Sequence, residues 1–188
     1  MRMTLGRTLA PFAILVLAGC GGDSGQAEGG KAAEPSSRTL AATLGGGGDF
    51  DTLGGALNNA GLTGVLEGKG PYTVFAPADA AFTAASGAAD FTSEAMRAES
   101  AALLRAHIVP GALTRRDIAA AIDGAGAGGV KMRTMADTLL TFSRDGEAIV
   151  VTAANGARAR LTGEETLASN GVLQPVDGVL VNPPAPTA

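Results

Sequence analysis

The sequence has 188 residues, 14 lysines plus arginines against 18 aspartates plus glutamates, and a formal charge of −4. That length suits one domain with some tail to spare and is too short for two full enzyme domains; an acidic chain (pI ≈ 4.9) without a basic cluster argues against a nucleic-acid binder. One cysteine excludes an internal disulfide framework, and one histidine excludes zinc sites of the multi-His or Cys/His kind.

In chain order, Arg2 and Arg7 precede an uncharged run from Leu9 to Gly19. As a helix that run rises only about 16 Å against roughly 30 Å of hydrocarbon, so it reads as the apolar core of a signal peptide and not as a stable membrane span. Leu17-Ala18-Gly19-Cys20 resembles the bacterial lipobox. The resemblance implies cleavage between Gly19 and Cys20, acylation of the Cys20 thiol and a membrane lipid as first partner. Gly21 in place of Asp then implies the outer membrane where a cell has two. Loss of residues 1–19 leaves 12 basic and 18 acidic groups, a net charge of −6. Residues 20–38 are the lipidated cysteine and a tether: residues 21–38 carry no large apolar side chain and read as flexible. Residues 39–181 read as the domain, and Asn182-Pro183-Pro184-Ala185-Pro186 opens a proline-rich tail over residues 182–188 that cannot continue a strand or helix.

Alanine (38) and glycine (28) fill over a third of the chain, with six Phe, one Tyr and no Trp, so the core must rest on medium-sized aliphatics. Phe50, Leu53, Leu57 and Ala60 share a helical face, with Asp49 as N-cap and Gly61 as the stop. Thr73-Val-Phe-Ala is a short buried strand ended by Pro77, and Asp79 to Ala85 a brief helical turn. A longer helix follows, capped by Thr92 or Ser93, with Met96, Leu103, Leu104 and His107 on one face. Thr114-Arg-Arg-Asp117 opens another in capping-box fashion, with Ile118 and Ile122 inward, until Gly124–Gly129 breaks the pattern. Strand spacing then takes over: Val130-Lys-Met132, Leu139 to Phe142 and Ala148 to Thr152, with turn signals at Asp145-Gly146 and Asn155-Gly156, the latter suited to a type I′ turn. Ala157 to Leu161 alternates small and basic residues, so one face of that strand meets solvent. Val172-Leu173 and Val176 to Val181 form the final strand. Helices first and hairpins later predict an α+β domain with an antiparallel sheet under helices.

Three segments carry a resemblance. Gly70-Pro71-Tyr72-Thr73-Val74-Phe75-Ala76-Pro77-Ala78-Asp79-Ala80-Ala81-Phe82 resembles the first signature of the fasciclin domain family, Ala106-His107-Ile108-Val109-Pro110-Gly111 its central Tyr-His segment, and Ser169 to Leu180 its second signature. They come in the family's order at roughly its spacing. The resemblance covers Leu40 to Val181 and implies a single wedge-shaped β-sandwich flanked by helices, used in extracellular adhesion. It marks Tyr72, Asp79, His107, Asn170 and Asp177 as the structural or interaction residues to watch. Asp79 suits backbone N–H acceptance at the start of the turn that carries Phe82 inward, Asn170-Gly171 a left-handed turn and Asp177-Gly178 a kink within the last strand. The chain departs from the family pattern at Ala78, Ala106 and Gln174, where Thr, Tyr and His are usual. Gly163-Glu164-Glu165-Thr166-Leu167 lacks the Asn-Lys-Asp-Ile-like motif linked to integrin binding, so that role is not carried over.

Chemistry finds little purchase. His107 alone titrates near neutrality, and its place at the end of an amphipathic helix favours a part-buried scaffold histidine, one ring nitrogen on a neighbouring backbone carbonyl and the other facing water. No Gly-x-Ser-x-Gly occurs, and Ser86, Ser93, Ser100 and Ser169 sit in cap or loop contexts. Glu164-Glu165 is a paired-acid candidate for acid/base work or Ca²⁺, but two adjacent acids at a helix start usually serve the helix dipole. The Gly124–Gly129 run lacks the Lys-Ser/Thr of a phosphate loop. The expectation is a lipid-anchored envelope protein, non-catalytic, without metal or cofactor, adhering to an unidentified protein or matrix partner. The alternative is a carrier holding a small apolar ligand in a cleft near Ala80–Ala89.

Overall fold

The computed structural model describes residues 35–86 and 90–181. Gly19, Cys20 and the tail from Asn182 lie outside the described residues, as does most of the tether. Its last residues do not: the Ser36 N–H donates to Leu167 O at 2.7 Å, and Arg38 O accepts the Ser169 N–H at 2.8 Å.

Five helices come first or nearly so: α1 (Leu40–Leu44), α2 (Asp51–Asn59), α3 (Thr63–Glu67), α4 (Asp79–Ser86) and α5 (Arg97–His107), the last entered through a 3₁₀ turn at Glu94–Met96. Strand β1 (Tyr72–Pro77) lies between α3 and α4, and β2 (Ile108–Pro110) follows α5 directly. Helix α6 (Arg115–Ala125) leads to the meander β3 (Val130–Arg133), β4 (Leu139–Asp145), β5 (Ala148–Ala153) and β6 (Arg158–Arg160); β7 (Thr166–Ala168) and β8 (Gly171–Val176) close the domain. Among the described residues no helix is long and apolar enough to cross a membrane.

The strands form two four-stranded sheets, β2-β1-β8-β7 and β3-β4-β5-β6. Period-2 alternation in β1 explains why the first sheet is buried on both faces. Val74 and Ala76 join Leu53, Leu57, Leu66, Leu103 and Leu104 in a core beneath the helices, whereas Phe75 joins Phe142, Val151 and Val176 in a second core between the sheets. Phe75 and Phe142 meet with ring centroids 5.1 Å apart. Helix α6 adds Ile118 and Ile122 to this second core, and its capping box is complete: Thr114 accepts the Asp117 N–H, and the Asp117 carboxylate accepts from Thr114. Those Thr114 hydrogen bonds hold the Asp117 carboxyl below its ordinary value.

The α+β class and the sandwich flanked by helices agree with the sequence reading, but four local expectations are corrected. The sheet under the helices is mixed, because β1 and β8 pair in parallel from Tyr72↔Gly171 to Pro77↔Val176. Pairing with so distant a strand leaves no local periodicity to read. The final strand stops at Val176, and Asp177 turns aside to exchange backbone and side-chain bonds with Arg160. Phe50, not Asp49, occupies the N-cap of α2 and makes no side-chain cap bond. Asn155 does not take positive φ, so its loop is no type I′ turn; its Oδ1 accepts the Ala157 N–H instead. Helices α1 and α3, five residues each, fell below what periodicity can detect.

Candidate interaction site

The signature polar residues act on backbone groups far away in sequence. Asp79 stands at the head of α4, yet its carboxylate accepts the N–H groups of Asp51 (3.3 Å) and Thr52 (2.8 Å) at the start of α2. It thus supplies the cap that α2 lacks, and not the one expected for its own turn. Buried Asn170 accepts the Leu40 N–H at 2.9 Å and donates through Nδ2 to Leu66 O and Gly68 O, both at 2.7 Å. One amide therefore holds α1, the end of α3 and the entry to β8. Its neighbour Gly171 must lack a side chain, because a Cβ there would run into the Tyr72 carbonyl oxygen. Tyr72 itself is half-buried at the start of β1, packed against the helical core.

His107 is fully buried. Its Nδ1–H donates to Leu103 O at 2.7 Å, and its Nε2 accepts the Leu180 N–H at 2.9 Å. Neither nitrogen faces water, contrary to expectation, because the segment after β8 folds back over the ring. Desolvation pushes the imidazole pKa down to about 4, the Leu103 bond opposing only in part. The neutral tautomer with the proton on Nδ1 satisfies both partners and leaves no lone pair to activate a nucleophile. Ser100 is buried with its hydroxyl on Phe91 O, and Ser93 donates to Asp90 O.

A second network was not read from the sequence. Glu165 Oε2 accepts the Arg115 backbone N–H at 2.6 Å and the Gln174 amide at 2.6 Å. The Arg115 guanidinium donates to Gly163 O, Thr162 O and Gln174 Oε1, and the Gln174 amide also reaches Leu113 O at 3.1 Å. The acid does sit at a helix start, but at that of α6, fifty residues earlier. Gln174 was the available clue, since a polar residue in the middle of a strand buried on both faces must find partners. Among the described residues no group of three or more His, Cys, Asp and Glu is placed to hold a metal ion.

Solvent-facing chemistry gathers on the second sheet. A groove of about 250 Å³ along β6 is lined by Asp145, Val150, Arg158, Ala159, Arg160 and Asp177, and Arg160 bridges to Asp145 at 2.9 Å. A recess of about 320 Å³ lies between the end of α6 and β4, where Arg144 grips Asp123. Both are lined with charge, and Leu139, 38% exposed, is the one large exposed apolar residue described. Around Ala80–Ala89, Ala81 is buried, whereas Ala80, Ala84 and Ala85 face solvent.

Comparison with known proteins bears on family, sequence and fold. A family model described as the fasciclin domain matches residues 48–182. Protein sll1483 of Synechocystis sp. is 29% identical over 156 residues, covering 81% of this chain and 78% of its own. Among solved structures, a FAS1 domain pair from the insect cell adhesion molecule Fasciclin I superposes with a TM-score of 0.66 at 15% identity, over 78% of this chain and 51% of that one. This chain thus spans about half the length of that pair, and the likeness is one of fold.

Proposed function

The chain belongs to the fasciclin domain family, and from that membership together with its lipobox-like leader we propose that it is an exported, lipid-anchored envelope protein whose domain serves adhesion or matrix interaction without catalysis. One observation carries the non-catalytic half. The only histidine has both ring nitrogens on backbone groups, and Asp79, Asn170 and Asp177 are likewise spent on backbone bonds between distant segments. Such residues build a rigid scaffold and leave recognition to the outer surface. The domain pair from the insect adhesion molecule supports the adhesive reading by fold. The anchor rests on Leu17-Ala18-Gly19-Cys20, where the thiol stands in lipobox register. Two or three acyl chains, at about 0.8 kcal/mol per buried CH₂, exceed what reversible binding needs.

Two measurements test the two halves. Cells fed labelled palmitate should incorporate label into the protein and lose it in Cys20→Ser, which should run as unprocessed or soluble chain. A variant that keeps the mature mass and stays in the detergent phase rejects the anchor. Cells displaying the protein should adhere to envelope- or matrix-coated surfaces more than cells lacking it, by an amount that tracks folded protein. Turnover of a substrate abolished by His107→Ala would instead establish an enzyme.

A further inference from the structure

The charge of the domain is unevenly shared. Residues 130–160, the second sheet with its turns, carry five basic and three acidic side chains, a net +2; the remaining described residues carry six basic and twelve acidic, a net −6. The cations have a particular layout. Inward positions of the sheet (Leu140, Phe142, Ile149, Val151, Ala159) fill the core, so the alternate positions form its outer face. Register aligns Lys131 with Thr141, Thr141 with Thr152 and Thr152 with Arg158. One row therefore crosses all four strands as cation, hydroxyl, hydroxyl, cation, with about 14 Å between its ends at the usual strand spacing. Lys131 and Arg158 have no ion-pair or side-chain hydrogen-bond partner among the described residues, nor do the two hydroxyls, whereas Arg133 and Arg160 on the same edges bridge to Asp137 and Asp145.

We propose that this outer face binds a linear acidic polysaccharide lying across the strands, its carboxylates on Lys131 and Arg158 and its hydroxyl groups on Thr141 and Thr152. The proposal deepens the adhesion reading and rests on it, because a surface-displayed domain is what would meet such a chain. Charge complementarity selects an anion in an otherwise acidic domain. The hydroxyls between the cations select a ligand that itself bears hydrogen-bonding groups at short repeats. The face carries no aromatic side chain on which nucleobases could stack, and Leu139 alone offers too little apolar area to enter a bilayer.

The test is affinity electrophoresis of the mature full-length protein, in mild non-ionic detergent at neutral pH, through gels containing polygalacturonate. Retardation is expected, fading as salt screens the contacts. Lys131→Ala/Arg158→Ala should weaken it about tenfold, the sum of two exposed charge contacts, and Thr141→Val/Thr152→Val should weaken it at unchanged charge. Lys69→Glu/Arg97→Glu, outside the second sheet, should leave retardation intact. Circular dichroism melts of each variant confirm that the fold is kept. Absence of retardation, retardation that survives Lys131→Ala/Arg158→Ala, or equal loss in the Lys69/Arg97 control overturns the proposal. Preference for single-stranded DNA, or for phosphatidylglycerol over phosphatidylcholine vesicles with no polyuronate binding, overturns it as well by naming another occupant. Adhesion of displaying cells without retardation sinks this inference and leaves the adhesion reading standing; retardation by a protein that mediates no adhesion does the reverse.

Discussion

His107 ties the end of α5 to Leu180, accepting that residue's N–H at 2.9 Å while donating to Leu103 O. The bond bridges 73 positions of sequence and fastens the segment that follows the central strand β8. It also makes the fold's stability depend on a proton.

The imidazole titrates near 6.5 in an unfolded chain and is pushed down to about 4 when folded. Between those values only the unfolded state takes up the proton. Stability is therefore full above pH 6.5 and falls as pH drops to about 4, by about 3 kcal/mol in all. Asp90, Asp117 and Asp123, held below their ordinary values by hydrogen bonds, lose their share only at more acid pH. Urea midpoints at pH 7.0, 5.5 and 4.5 should decline in steps, and His107→Gln should flatten the series. Identical wild-type midpoints at all three would rule the mechanism out.

Asn170 separates geometry from polarity. Asn170→Ala leaves the Leu40 N–H and two carbonyls unpaired and should cost about 3 kcal/mol. Asn170→Asp keeps the acceptor for Leu40 but sets a carboxylate oxygen against Leu66 O and Gly68 O. It should be the worse of the two at pH 7 and recover toward the alanine variant as pH falls to 4. Chemical denaturation at both pH values reads the crossing; an aspartate variant as stable as wild type at pH 7 would mean that the amide donors hold nothing.

Phe75 lies wholly buried against Phe142 between the sheets. Phe75→Ala should cost about 3–5 kcal/mol, enough to unfold a domain of ordinary stability. Phe75→Leu, which keeps most of the volume, should retain a cooperative melt. Neutral behaviour of the alanine variant in urea would contradict the packing.

The cap that Asp79 lends to α2 predicts a graded series. Asp79→Asn keeps an acceptor and should lose a few tenths of a kcal/mol, whereas Asp79→Ala should lose about 1 kcal/mol. Hydrogen exchange should localise the loss to the first turn of α2. Faster exchange confined to α4 would return Asp79 to its own helix.

Legibility in the sequence followed the range of the interactions. The capping box of α6 was readable because Thr114 and Asp117 are three residues apart, and the β4–β5 hairpin because Asp145 and Gly146 adjoin. The cap of α2 was not, since its acceptor comes from Asp79, 27 residues past Thr52. Nor was the parallel pairing of β1 with β8, which joins segments about a hundred residues apart. Polar residues could be singled out one by one, but their partners are backbone groups, which leave no trace in side-chain pattern. The cationic row leaves no mark in the sequence for a related reason: Lys131 and Arg158 sit 27 positions apart, and only the folding of a meander sets them in line.

The parallel pair has a consequence for biosynthesis. Of the two strands that fill the middle of the first sheet, one, β8, is the last of the described strands to leave the ribosome. Until β8 emerges, the nascent chain can offer β1 only the three-residue β2 as a neighbour, and one edge of Tyr72–Pro77 stays open through the synthesis of everything between. A polypeptide halted before Gly171 keeps that edge permanently unpaired and exposed to aggregation or proteolysis. Translation must pass Val176 before the sheet can close, so a stop codon ahead of Gly171 undoes the pairing of a strand made about a hundred residues earlier.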